Sequence, residues 1–184
     1  MLTNRFEEAF RFAQELHRNQ QRKGTSIPYI SHLMAVAGLV LEHGGTEDQA
    51  IARLLHDAPE DQGGEATLAA IRVKFGNTVA DIVSDCTGAW TEPKLPWRER
   101  KETYIARLPH KAPDSLLVAL TDKTHSAEAI LSDYRVLGDG IRPRFNGGAD
   151  GTRWYYGALA DVFQVSLPGA LSERLSRAVV GFAR

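Results

Sequence analysis

The sequence predicts an all-α protein folded as a single domain, and three observations predict it. Apolar residues recur at spacings of three and four along nearly the whole chain. Alternating apolar–polar runs of the strand type are nearly absent. Glycines and prolines cut the periodic pattern into pieces of helix length. At 184 residues the chain is long enough for one domain with a real core. Its 43% hydrophobic and 24% charged content is that of an ordinary globular protein.

The first helix follows from Phe6, Ala9, Phe10, Ala13 and Leu16, which share one face. The second carries Ile30, Leu33, Met34, Ala37, Val40 and Leu41. Its other sides hold Ala35, Val36 and Leu39, so burial nearly all round is expected. His43, Gly44 and Gly45 stop it, and Thr46 is placed to cap the next helix, whose inner face is Ala50, Ile51, Leu54 and Leu55. Pro59 ends or bends that helix just past His56 and Asp57. Leu68, Ile71, Val73 and Phe75 predict another helix, Gly76 interrupts it, and Val79, Ile82 and Val83 start the next. Residues 87–97, TGAWTEPKLPW, read as a loop. Helices are expected over 98–108, from Asp114 to about Val136, across 153–163, and finally over about 169–183. Between the middle two, LGDGIRPRFNGGADGT reads as a long glycine-rich loop.

Composition excludes several classes. A net charge of -1 gives no global field for nucleic acid or an anionic membrane. No apolar run approaches the roughly 20 residues needed to span a bilayer. The N-terminal MLTNRFEEAF lacks a signal-peptide core, so a cytoplasmic location is expected. Cys86 is the one cysteine, which rules out an internal disulfide or a cysteine metal cluster; it is expected as a small buried hydrophobe.

The segment LLHDAPED, residues 54–61, carries the chemistry. One imidazole and three carboxylates follow an apolar run, and no lysine or arginine lies between Arg53 and Arg72. Such acidity calls for a positive partner. With thiolates absent, a metal site must use imidazole and carboxylate. His56 and Asp57 are neighbours, which on an unbroken helix point about 100° apart, but beside a proline-interrupted end they can converge on one ion. His32, in PYISH, is a candidate third ligand. Asp122, in LTDKTH behind the apolar SLLVAL, is a candidate fourth, because an unpaired aspartate there is costly. Taken singly, each has a structural reading: His32 as a bonded core histidine, Asp122 paired with Lys123 or an arginine, Asp57 at a helix end, and Glu60 and Asp61 in a solvated loop.

Four stretches in order, RKGTSIPYISHLMAVAGLV, ARLLHDAPED, KFGNTVADIVSDCTG and LTDKTH, resemble the HD-domain metal-dependent phosphohydrolases. The resemblance is to the small alarmone hydrolases and the hydrolase domain of bifunctional alarmone synthetase/hydrolases, and it covers about residues 6–163. It implies a helical HD bundle, here one domain over 1–184, that removes the 3′-pyrophosphate from guanosine tetra- and pentaphosphate. It also implies one divalent ion, typically Mn2+, on His32, His56, Asp57 and Asp122. Glu60 and Asp61 match the acidic pair of these hydrolases, and Arg22 and Lys23 the basic pair that meets the nucleotide. Lys123 is a further candidate for holding phosphate. Arg142 and Arg144, set among glycines before Trp154, Tyr155 and Tyr156, are candidates for a loop that closes on substrate. The chain departs from the family where Ser126 replaces the usual asparagine and residues 127–129 lack the polar groups that often help hold guanine. Two alternatives therefore stand: the same chemistry on an adenosine alarmone or a dinucleotide cofactor such as NADPH, and a non-catalytic nucleotide sensor.

Overall fold

The computed structural model describes residues 1–87 and 95–183, with the backbone alone at 142, 182 and 183. Among the described residues it is helical without a strand; the sole extended pairing is an isolated bridge between Gln21 and Pro28. The α-helices are α1 (Asn4–Leu16), α2 (Ile30–Glu42), α3 (Glu47–Leu55), α4 (Ala58–Asp61), α5 (Gly64–Phe75), α6 (Asn77–Cys86), α7 (Trp97–Arg107), α8 (Pro113–Leu137), α9 (Gly148–Ser166) and α10 (Ala170–Ala183). The all-α expectation holds. No helix among the described residues is long and apolar enough to cross a membrane.

Contacts divide the chain into two compact units. The first contains α1–α6 and the opening turns of α8 up to Val118. In it α3 packs against α1, α2 and α6, and α5 against α4 and α6. Ala9 and Ala13 of α1, Leu33, Ala37 and Val40 of α2, and Ala50, Ile51, Leu54 and Leu55 of α3 are buried in one apolar cluster. The small residues of α1 let its backbone come close, while its phenylalanines pack at the cluster's edge. Thr46 caps α3 as expected: its hydroxyl accepts from the Gln49 amide at 3.2 Å while Gln49 Oε1 accepts from the Thr46 amide at 2.7 Å. Gly76, at φ 93°, ends α5 and starts α6. It takes the left-handed conformation that side-chain-bearing residues avoid.

Two residues of this unit depart from the expected faces. Val73 is exposed, because it lies off the i, i+3, i+7 row that Leu68, Ile71 and Phe75 define. Met34 is likewise exposed on α2, whose apolar stripe is therefore wide but not complete. Cys86 is half-buried at the margin of the core rather than inside it.

The second unit contains α7, α8 from Ala119 onward, α9 and α10. Leu159 and Phe163 of α9 and Leu171 and Leu175 of α10 are buried in it, and α9 packs on both α7 and α10. Residues 88–94, the centre of the expected 87–97 loop, lie outside the described residues. The expected loop over 137–152 is mostly ordered backbone instead: a 3-10 helix spans Gly138–Arg144, and α9 begins at Gly148, four residues before the expected loop ends. Packing explains two of the glycines. A Cβ on Gly147 would stand 2.5 Å from the Trp97 ring, and one on Gly151 3.1 Å from it. Both glycines make room for an indole, and Trp97 then meets Trp154 and Tyr155 edge to face. Composition alone reads such glycines as a loop; the tryptophan that needs them lies about fifty residues away in sequence.

Candidate metal centre

The first unit brings His32, His56 and Asp57 together. One ligand atom from each lies within 4.8 Å of the other two, and both histidines are buried. His32 comes from the first turn of α2, which a bridge and a turn anchor on its N-terminal side. His56 caps the end of α3 and Asp57 opens α4, with Pro59 in the first turn of that short helix. The break between α3 and α4 is what lets two sequence neighbours converge: His56 Nε2 is 2.6 Å from Asp57 Oδ2.

Hydrogen bonding fixes which nitrogen of His56 faces the site. Its Nδ1 is 2.8 Å from the carbonyl oxygen of Arg53, a pure acceptor, so Nδ1 carries the hydrogen. Nε2 is then turned toward the Asp57 carboxylate. Two acceptor atoms this close need a cation, either a proton or a metal, to hold them. A neutral imidazole whose far nitrogen donates to a backbone carbonyl is the usual form of a histidine ligand. Arg53 is itself buried, and its guanidinium donates to the Val118 carbonyl at 2.8 Å, tying the end of α3 to the start of α8. The donor set is imidazole and carboxylate, which suits Mn2+, Fe2+ or Zn2+ rather than thiolate-seeking ions. These residues fit a divalent metal.

Glu60 and Asp61 end α4, one turn past Asp57, and both reach solvent. The Asp61 carboxyl is pushed above the usual carboxylate range. Partial burial is the main cause and the charges of Asp57 and Glu60 add to it; the bond from Gln20 and the nearby His17 pull the other way. Gln20 Nε2 donates to Asp61 at 2.7 Å, and Gln20 Oε1 accepts from Gln62 at 2.8 Å and lies 2.6 Å from His17 Nδ1. Arg22 and Lys23 sit at the edge of the turn that precedes α2. There the Arg22 amide donates to Ile27 O at 2.9 Å and Gly24 takes φ 71°.

The remaining candidates belong to the second unit. Asp122 and Lys123 form an ion pair at 2.6 Å, so Lys123 is one partner of Asp122. Burial disfavours the Lys123 charge, yet Asp122, with Tyr155, Tyr104 and Tyr156, holds its ammonium well above the usual lysine range. Arg144, a candidate for the loop that closes on substrate, has an anionic partner within the chain: Asp133, at 2.7 Å. The Arg142 side chain lies outside the described residues. Tyr155 and Tyr156 are buried, as aromatics at helical spacing usually are, and Trp154 packs beside Tyr155.

Sequence reasoning did not single out Gln20, Tyr29 or Arg53. Tyr29 donates from its hydroxyl to Asp57 Oδ2, and its ring lies between those of His17 and His32. The signals were present as an arginine inside the apolar ARLLH and a tyrosine three residues before a histidine. A polar residue in an apolar run marks a bonded group, but its partner is invisible in one dimension.

Fold and site together define a helical protein with an imidazole–carboxylate centre suited to a divalent cation. The chain belongs to the HD-domain family, whose model matches residues 9–136. It is 38% identical over 122 residues to proteins of Xenopus tropicalis and Homo sapiens named guanosine-3′,5′-bis(diphosphate) 3′-pyrophosphohydrolase MESH1, a match covering 65% of this chain and 65% of each relative. The chain thus spans just under two thirds of the length of these relatives. A similarly named Aquifex aeolicus enzyme is 33% identical over 127 residues, 67% of this chain and 17% of that protein. Among solved structures, a metazoan ortholog of SpoT described as hydrolysing ppGpp superposes with TM-score 0.77 at 22% identity, over 97% of this chain and 95% of that one. A Listeria monocytogenes protein gives 0.71 at 28% identity, over 87% and 100%.

Proposed function

We propose that this chain is a metal-dependent phosphohydrolase that removes the 3′-pyrophosphate from guanosine tetra- and pentaphosphate. The observation that carries the reading is the His32–His56–Asp57 cluster followed one turn later by Glu60 and Asp61, in a chain similar over 122 residues to relatives named for that reaction. Asp122 is the proposed fourth ligand and Mn2+ the proposed ion. Residues 1–184 are taken as one functional domain, supported by α8 contributing to both compact units.

A divalent ion held by these residues would polarise a phosphoryl oxygen and make water more acidic. The chain's own groups do the rest. A water oxygen bonds to the phosphorus attached to the 3′ oxygen, the bond from that phosphorus to the 3′ oxygen breaks, and the 3′ oxygen leaves with a proton. Glu60 and Asp61 orient the water and take its proton, and a carboxyl raised as Asp61 is lies nearer the range that suits a base at neutral pH. Arg22 offers a planar fork and Lys23 a point charge to the phosphates; Lys123 and Arg142 are further proposed phosphate contacts. A cytoplasmic location fits a nucleotide substrate.

The test is direct. Purified protein loaded with Mn2+ is incubated with a panel of phosphorylated nucleotides and the products are identified. Pyrophosphate from guanosine tetraphosphate is the expected result, and its absence beside turnover of another nucleotide overturns the substrate. One observation favours keeping a second substrate in the panel: Ala127 is buried and Glu128 pairs with Arg174 at 2.5 Å, so the segment expected to meet guanine is engaged in the fold. An adenosine alarmone and NADPH are the compounds to include, and tight binding without turnover would identify a sensor.

A further inference from the structure

We infer that Tyr29 is a positioning residue for the metal centre, holding the Asp57 carboxylate in the orientation in which it can ligate a cation beside His32 and His56. The inference rests on the reading of those three residues as a metal site.

The backbone of Tyr29 is pinned on both sides. Its amide donates to the Gln20 carbonyl at 2.9 Å, and its own carbonyl accepts from the His32 amide at 2.9 Å. The ring is also held, with centroids 5.3 Å from His17 and 5.5 Å from His32. A side chain fixed at both backbone and ring delivers its hydroxyl to one place, and that place is Asp57 Oδ2. This is the same oxygen that His56 Nε2 approaches to 2.6 Å. His56 already has its far nitrogen fixed by the Arg53 carbonyl. Asp57 is a short side chain at the junction of two helices, three-quarters buried, with two rotatable bonds, and His56 is one neighbour of its Oδ2. The phenol gives it a second point of reference.

A tyrosine suits this place better than a cation would. A phenol hydroxyl is a neutral donor, so it bonds the carboxylate without adding positive charge against an incoming metal ion. It occupies one lone pair and leaves the carboxylate charge in place. Partners of this kind, one bond removed from the metal, are worth roughly 10- to 100-fold in metal affinity or activity when removed.

The experiment measures metal binding rather than turnover. Chelator-stripped wild type, Tyr29→Phe and Tyr29→Leu are titrated with Mn2+ by calorimetry and with Co2+ by visible absorption, and the melting temperature of each metal-free protein is recorded. Tyr29→Phe keeps the ring between the two histidines and removes only the hydroxyl. It should bind Mn2+ about 10- to 100-fold more weakly, shift the Co2+ spectrum, and melt near wild type without metal. Tyr29→Leu should be no better in affinity and should also melt lower. If Tyr29→Phe binds Mn2+ within about twofold of wild type while Tyr29→Leu loses affinity, the ring packs and the hydroxyl positions nothing, and the inference is overturned. Wild type that binds no divalent ion at all overturns the metal reading itself, a result separate from the failure of Tyr29 alone.

Discussion

The end of α3 and the start of α9 are both places where a helix boundary meets unusual side chains, and they use them differently. At the α3–α4 junction the polar groups converge. Two histidines are buried, one carboxylate is shared by His56 and Tyr29, and acceptors face each other at 2.6 Å. Around α9 the polar groups pair off within the chain: Arg144 with Asp133, Glu128 with Arg174, and Arg98 lying 3.2 Å over the Trp154 ring. Burying a polar group costs free energy unless it finds a partner. These described groups of the second unit pair with one another; at the α3–α4 junction the acceptors face one another, an arrangement that a proton or a bound cation would hold.

The largest expected effect tests the convergent region. His56→Ala should take metal content from about one ion per chain to near none and bring hydrolysis of guanosine tetraphosphate below detection, because it removes a ligand from a small N/O set. Elemental analysis decides it, and a variant that keeps its full metal complement would show that the junction is only a helix end. Next in size is Glu60→Gln. It should retain the metal and lose about 100- to 10,000-fold in kcat, the usual worth of a general acid–base group. If turnover stays near wild type with metal bound, the proton passes to Asp61 or to another group.

Sequence made the convergent region more readable than the paired one. His32, His56 and Asp57 stood out because polar residues interrupted apolar helices at definable positions, and helix periodicity is local information. The fold class and the Thr46 cap were legible for the same reason, since their partners lie within four residues. Gln20, Tyr29 and Arg53 were not, because their partners Asp61, Asp57 and Val118 are 41, 28 and 65 residues away. The glycines near 147 misled for the same reason: the Trp97 ring that requires them is distant in sequence. The Arg144–Asp133 pair was not legible either, because Asp133, eleven residues back, is brought to Arg144 only by the 3-10 helix after α8.

The paired region makes its own prediction at smaller scale. Gly147→Ala puts a methyl 2.5 Å from the Trp97 ring, which is itself held by Trp154 and Tyr155. Overpacking of this kind costs about 1–3 kcal/mol, and thermal melting should drop by several degrees. Gly157→Ala, on α9 with nothing within 4 Å of the added methyl, should instead gain about 0.5–1 kcal/mol, the ordinary difference between alanine and glycine inside a helix. Opposite signs from two glycines in one region separate a glycine that packing requires from one that it does not; a neutral Gly147→Ala would return the segment to the status of a loop.

The smallest effect settles what Arg144 is for. Its guanidinium lies 2.7 Å from Asp133, with side chains 22% and 40% exposed. Solvent screens a pair this open, so its contribution to stability is at most about 1 kcal/mol. Arg144→Ala and Asp133→Ala should each lower the melting temperature slightly, and the double variant should lower it by less than the sum, since either single change already removes the pair. If Asp133 is the whole partner, KM and kcat stay at wild-type values in all three proteins. If Arg144 also meets the substrate, KM rises in Arg144→Ala but not in Asp133→Ala, because removing the aspartate leaves the arginine free to reach a phosphate. Stability coupling with flat kinetics is the expected outcome; a KM that follows Arg144 alone would move this arginine from the paired region's logic to that of the α3–α4 junction.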